Sequence, residues 1–279
     1  MVIGGEINRY LLEHFSEKSL IYIISDDNIN LYPNIEQELL KHKETLLKRR
    51  EAANGKINWY ALNWARRKKL FEEPKILIRQ TANKIMAAYD EEGWYCLKSG
   101  LIVQLPSKSE LSYKYLLAIL NSKLMDFLYQ DLVNEGDRVF PEVKPVQLFK
   151  LPIAPANKEQ QIEIDKLVEV VTNCNIDLIK QTNRFIKLLQ SSFSNLTVNK
   201  KIETWYEMKF GEFRKELEKQ KIAIPIKELM DYQDLFDTNA TQIKEIQTKI
   251  NNTEKAIDKM VYALYDLTDE EIQIIEKNN

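Results

Sequence analysis

The sequence predicts an α+β protein in two parts: a mixed α/β domain over residues 1–155 and an all-helical domain over residues 156–279, built on a long antiparallel helix pair. Three observations carry this expectation. The first half alternates short apolar runs with turn-forming residues, as strands and brief helices do. LPIAP at 151–155 holds Pro152 and Pro155, which no helix interior accommodates, and so marks a boundary. The second half carries two apolar stripes at alternating spacings of three and four, the signature of long paired helices.

In chain order, SLIYII (19–24) predicts a strand, and SDDN (25–28) a turn. Residues 35–52 predict one amphipathic helix. Ile35, Leu39, Leu46 and Leu47 share a face, Lys48, Arg49 and Arg50 favour its C-terminal dipole, and Gly55 lies just beyond. KILI (75–78), KIMAAY (84–89), GWYC (93–96) and LIVQL (101–105) predict strands, with DEEG (90–93) as a hairpin turn. Residues 112–133 predict a helix capped by Ser112, with Tyr113, Leu116, Leu117, Leu120, Leu124, Phe127 and Leu128 as its apolar side.

The helical half predicts long helices at about 158–190 and 241–265 with a small helical insertion between them. The first stripe is Ile164, Leu167, Val171, Cys174, Leu178, Gln181, Phe185 and Leu188; the second is Ile243, Ile246, Ile250, Thr253, Ile257, Met260, Leu264 and Leu267. Each spans about 36 Å at 1.5 Å per residue. Two stripes of equal length bury each other most simply within one chain, although one could instead cover a partner protein. In the insertion, Trp205, Tyr206, Phe210, Phe213 and Leu217 predict a small core that caps the pair.

The chain of 279 residues has a net charge of −2, which taken whole argues against a nucleic-acid partner. Its distribution does not. Residues 41–84 hold 13 Lys or Arg against 4 Glu, a local balance of +9 that leaves −11 for the remainder. A localised positive field steers polyanions, although a solvated helix face would look similar. No run of about 18 apolar residues predicts a membrane span. The N-terminal MVIGGEINRY is no secretion signal, so a cytoplasmic protein is expected. Cys96 and Cys174 read as reduced, buried thiols, and with His14 and His42 they give no metal-ligand spacing.

Catalytic motifs are missing. There is no glycine-rich phosphate loop and no G-x-S-x-G, and His14 has no evident nucleophile partner, so no cofactor is expected. PEVK (141–144) offers Glu142 and Lys144 as half of a metal-dependent nuclease motif, with Asp131 or Asp137 upstream. A three-residue match arises often by chance, and a strand edge leading into the boundary loop is the preferred reading. Asp90, Glu91 and Glu92 fit a solvated turn better than acid–base chemistry.

Five segments occur in one order: YPNIEQELLKHKETLLKRREAANGKINWYAL (32–62), EPKILIRQ (73–80), LLAILNSKLMDFLY (116–129), FPEVKPVQLFKLPI (140–153) and QQIEIDKLV (160–168). Together with GGEINRYL (4–11) and AIDKMVYALYDLTDEEIQIIE (256–276), they resemble the TaqI-like C-terminal specificity domain of adenine-specific DNA methyltransferases, especially those fused into type IIG restriction–modification enzymes. The resemblance implies a DNA target recognition domain at 1–155. It also implies partners: double-stranded DNA, and a methyltransferase and possibly nuclease domain or subunit that binds S-adenosylmethionine. The chain lacks the N-P-P-[YF]-type catalytic motif, so it is expected to be an excised C-terminal piece or a split subunit without activity of its own.

Under that implication the polar interruption at 79–84 faces DNA. Gln80 and Asn83 could bond adenine, Arg79 or Lys84 could take guanine or phosphate, and Thr81 sits among them. Arg66, Arg67, Lys68 and Lys69 are expected on phosphates. Trp59, Tyr60 and Trp64 interleave with that basic run; packing against the preceding helix is the alternative for both tryptophans and the preferred reading for Trp59. NEGDRVFPEV (134–143) is a second candidate reading loop, with Arg138 its main contact. A competing reading is a helical interaction module that docks a methyltransferase or a phage-defence partner without reading bases.

Overall fold

A computed structural model describes residues 1–13, 19–133 and 142–278. The first half opens with a small hairpin, β1 (Ile7–Asn8) and β2 (Leu11–Leu12). Short helices follow: α1 (Pro33–Leu40), α2 (Lys43–Leu47), α3 (Arg50–Ala53) and α4 (Lys69–Glu72). Strands β3 (Lys75–Arg79), β4 (Ala87–Asp90) and β5 (Gly100–Val103) form an antiparallel sheet with β3 in the middle. Then come α5 (Tyr113–Asn121), α6 (Lys123–Val133) and α7 (Pro145–Leu148). The second half is α8 (Lys158–Ser192), α9 (Lys200–Glu203), α10 (Phe210–Lys219), α11 (Leu229–Leu264) and α12 (Asp269–Lys277). The fold is α+β, as the sequence predicts.

The run Ile76-Leu77-Ile78 is continuously apolar because both faces of the central strand are covered. Ile76 and Ile78, with Ala87 of β4, face α5 and the main core, while Leu77 and Ala88 face a second cluster with Val2, Ile7, Phe71 and Cys96. The main core does not stop at the sheet. It continues through Leu117 and Met125 to Ile164, Val168 and Val171 of α8 and to Ile250, Ile257 and Val261 of α11. The early part of α8 and the late part of α11 share this cluster. Phe185 and Leu189 of late α8 share another with Phe236 and Ala240 of early α11, so the two helices run antiparallel. At that far end Trp205, Phe213 and Leu217 close the cap that the sequence predicts.

Several expected elements differ. Residues 19–24 form no strand: Ile23 is buried and its carbonyl accepts from Leu62 N–H at 2.8 Å, but no ladder forms. The single helix expected over 35–52 is three short helices without one buried residue. It breaks at Arg49, which is extended (ψ 136°) and whose guanidinium donates to the carbonyls of Leu46 and Trp59. GWYC is not a strand, and DEEG does not join adjacent strands, because β4 pairs with β3 and the chain then crosses to β5 on the other side. Asp90, expected in solvent, is 2% exposed and ion-pairs at 2.5 Å with the wholly buried Lys75. It also accepts from the N–H groups of Glu92 and Trp94.

The helix expected over 112–133 starts with Ser112 as its cap but breaks at Ser122, whose ψ of 155° is extended. The second long helix begins at Leu229, about a dozen residues before the expected 241, since Phe236 and Ala240 on this stretch pack into the cap core. Leu188 is 43% exposed and Leu189 takes its place, because a straight helix drifts from a strict seven-residue repeat.

Candidate nucleic-acid interface

The polar segment after β3 is a loop on a rigid base. Arg79 N–H donates to Met86 O at 2.9 Å, which closes the β3–β4 pair, and residues 80–85 project beyond it. Gln80 continues the strand by backbone alone: its N–H donates to Ser99 O at 2.9 Å and its carbonyl accepts from Val143 N–H at 2.7 Å. Thr81 bridges Glu142. Thr81 and Asn83 are exposed, while Arg79, Gln80 and Lys84 are half-buried. Arg79 Nε donates to Thr81 O at 3.1 Å, bracing the turn. Among the described residues, the side chains of Gln80, Thr81 and Asn83 have no hydrogen-bond partner.

Below the loop the polar groups are fully engaged. Asn121 uses its buried amide as a strand would, accepting from Ala87 N–H at 3.0 Å and donating to Ala87 O at 2.9 Å. Tyr10 N–H donates to the same carbonyl. Asp126, 1% exposed, accepts from Ile85 N–H at 3.0 Å and pairs with Arg9 at 3.3 Å; Arg9 also reaches Glu254 of α11 at 3.3 Å. Arg9 and Tyr10 form the tip of the β1–β2 hairpin, with Tyr10 at φ 61°. Burial pushes the Asp126 carboxyl up to about 6 against the opposing pull of Arg9, the Ile85 amide and Lys84. Burial raises Asp258, one turn beyond Glu254, to about 6 as well; its Oδ1 accepts from Lys123 N–H at 3.0 Å. Lys84 therefore stands in the field of Asp126 as well as at the loop.

The basic run is built differently. Arg66, Arg67, Lys68 and Lys69 are all exposed. Lys69 pairs with Glu73 at 3.2 Å, Lys68 lies 6.0 Å from the Tyr22 ring, and Tyr22 OH donates to the Arg66 carbonyl. Trp59 packs edge-on to Tyr60 at 5.7 Å beneath Lys43, so the packing alternative describes it. Trp64 is 81% exposed at φ 53°. Arg66 also lines a groove of about 610 Å³ with Leu70, Val103, Gln104, Phe149 and Ile78, the residue before Arg79. The run and the base of the loop thus border one surface.

Against known protein families, residues 4–153 match the TaqI-like C-terminal specificity domain. The chain belongs to this family. Residues 157–261 match a domain of unknown function (DUF8810), and no curated protein matches the chain. The specificity domain has a DNA sequence-specificity role in restriction–modification enzymes and is not itself catalytic.

All ten residues picked from the sequence as DNA contacts fall inside the matched specificity domain. The structure brings Arg79, Gln80, Thr81, Asn83 and Lys84 together on one loop and sets the end of the second candidate segment, Glu142 and Val143, beside it. Arg138, Asp137 and His14 lie outside the described residues. Glu142 and Asp131 are exposed, and the described residues hold no group of three or more His, Cys, Asp or Glu able to bind a metal. No helix among them is long and apolar enough to cross a membrane. Sequence reasoning missed Arg9, Asn121 and Asp126. The one available signal was a polar residue interrupting the apolar pattern of a helix, as Asn121 and Asp126 do.

Proposed function

We propose that the chain reads a target sequence on duplex DNA on behalf of an adenine-N6 DNA methyltransferase, as in type IIG restriction–modification enzymes, with catalysis supplied by the methyltransferase module. In this reading residues 1–155 are the recognition domain and 156–279 a helical domain. The observation that carries it is the loop at 79–84. Among the described residues, the side chains of Gln80, Thr81 and Asn83 have no hydrogen-bond partner, while the backbone beneath is tied down at Ile85, Ala87 and Val143. Base reading needs this combination: donors and acceptors free to meet base edges, held in one register. Gln80 and Asn83 suit adenine; Arg79 and Lys84 suit guanine or phosphate. Arg66, Arg67, Lys68 and Lys69 hold phosphates, and Arg138 of the second segment joins the loop residues in reading bases.

The test is selection of bound sequences from a randomised duplex pool, with methylation sites mapped where the chain works with its methyltransferase. Gln80→Ala or Asn83→Ala should relax preference at one base position by about 1–3 kcal/mol. An unchanged profile in both, together with Lys84→Ala and Arg138→Ala, contradicts the loop assignment. A second reading, the interaction module that reads no bases, is favoured by Ile226 and Met230, 90% and 77% exposed at the far end of the helix pair. It expects those variants to leave the target alone and Ile226→Asp to reduce the amount of assembled complex.

A further inference from the structure

Trp64 combines two unfavourable features that nothing among the described residues repays. Its side chain is 81% exposed, and its backbone, at φ 53°, occupies the left-handed region that bulky residues avoid. The other tryptophans are held. Trp205 is fully buried, Trp94 Nε1 donates to Glu92 at 2.8 Å, and Trp59 packs on Tyr60. Nor does Trp64 sit on slack chain. Leu62 N–H donates to Ile23 O at 2.8 Å, Asn63 Nδ2 donates to Glu51 at 3.0 Å, and the Arg66 carbonyl accepts from Tyr22 OH. The chain is therefore fixed on both sides of an indole presented to solvent, and strain kept at an exposed position points to a ligand.

Charge identifies the ligand. Trp64 directly precedes the exposed run that holds Arg66, Arg67, Lys68 and Lys69. A polyanion that also offers flat or apolar surface fits, and duplex DNA supplies phosphates beside deoxyribose and base edges. We propose that Trp64 is a DNA-contact residue whose indole packs against the sugar and base edges of the duplex while Arg66 and Arg67 hold the flanking phosphates. This inference rests on the DNA-binding reading above. It adds an apolar, salt-independent component to a grip that composition alone makes purely electrostatic.

The test measures binding of the chain to a labelled random-sequence duplex pool across a series of salt concentrations. Trp64→Gly should weaken binding about tenfold at every salt concentration, because an indole displaces no counterion. Arg67→Ala should instead lower the salt slope by about 1. Trp64→Phe should retain most of the affinity. Glycine relieves the left-handed backbone, so Trp64→Gly should melt no lower than the parent and its loss of binding cannot be assigned to unfolding. Trp64 emission, taken as the difference between the parent and Trp64→Phe, should become shielded from acrylamide when the duplex is added. Trp64→Gly affinity within about twofold of the parent, or emission equally quenched with and without duplex, overturns the inference while leaving the DNA-binding reading intact. A parent chain that binds no duplex at any salt concentration overturns both.

Discussion

The loop at 79–84 and the segment from Pro33 to Lys69 carry similar side chains on opposite foundations. The loop rises from the best-buried strands in the molecule, with Ile76, Leu77, Ile78 and Ile85 all at 0% exposure. Helices α1, α2 and α3 bury no residue at all. Under the proposed function the difference matches two tasks, reading and gripping. A base edge must be met within tenths of an ångström, so the reader needs an over-determined base. Phosphates repeat along the duplex and attract from a distance, so the exposed run from Arg66 to Lys69 can follow a segment whose helices are lightly packed. The same contrast explains why the long helices matter to a recognition domain: Ile257 of α11 and Ile85 beneath the loop belong to one core.

The contrast can be broken most severely at that shared core. Ile257→Asp should cost several kcal/mol, since it leaves an unpaired charge in a site with no exposure, and should unfold the sheet region together with the helix pair. Two separate denaturation transitions, with the sheet surviving the first, would show that the halves do not support one another. Next in size is Asn121→Ala, which strands the N–H of Ala87 and a share of its carbonyl; about 1–3 kcal/mol should be lost in denaturant titration. The matched substitution on the gripping side, Arg50→Ala, should stay within about 0.5 kcal/mol. Equal losses at the two positions would erase the distinction.

A smaller effect concerns acid. Asp126 and Asp258 are both raised by burial to about 6. Arg9 faces both, with Lys84, Glu254 and the Ile85 amide around the first and Lys123 and Glu276 around the second. A carboxyl whose folded value lies above its unfolded one binds its proton more tightly when folded. The stability it contributes is full below about pH 4 and is lost as pH rises through about 6. The slope of stability against pH between those values should therefore flatten in the Asp126→Asn, Asp258→Asn double variant. A slope unchanged by the double variant would mean that neither carboxyl titrates in that window.

The sequence disclosed whatever depends on period and on strong local chemistry. The alternation of three and four at Ile164–Phe185 and Ile243–Leu264, the Ser112 cap, the apolar triplet of β3 and the polar loop after it were all legible, because each is a local pattern. It failed where a distant residue decides. The amphipathic pattern at 35–52 looks like a buried helix, yet Arg49 breaks it and its apolar side stays only half-covered, with Ile35, Leu39 and Leu46 half-buried and Leu47 exposed. SLIYII has strand composition without a strand to pair with. Asp90 reads as a turn residue until Lys75, fifteen positions earlier, is found buried against it. At the candidate site the exposed side chains were visible in advance. The residues that position them were not, since Arg9 and Asp126 meet only once the N-terminal hairpin folds against α6.

The division between reading and gripping is tested most directly by selecting bound duplexes with two variants side by side, Asn83→Ala and Arg67→Ala, over a range of salt. Asn83→Ala should return a profile relaxed at one base position with the parent's salt dependence. Arg67→Ala should return the parent's profile with a salt slope lower by about 1. Indistinguishable profiles and slopes for the two variants, or a changed base preference in Arg67→Ala alone, would contradict the account.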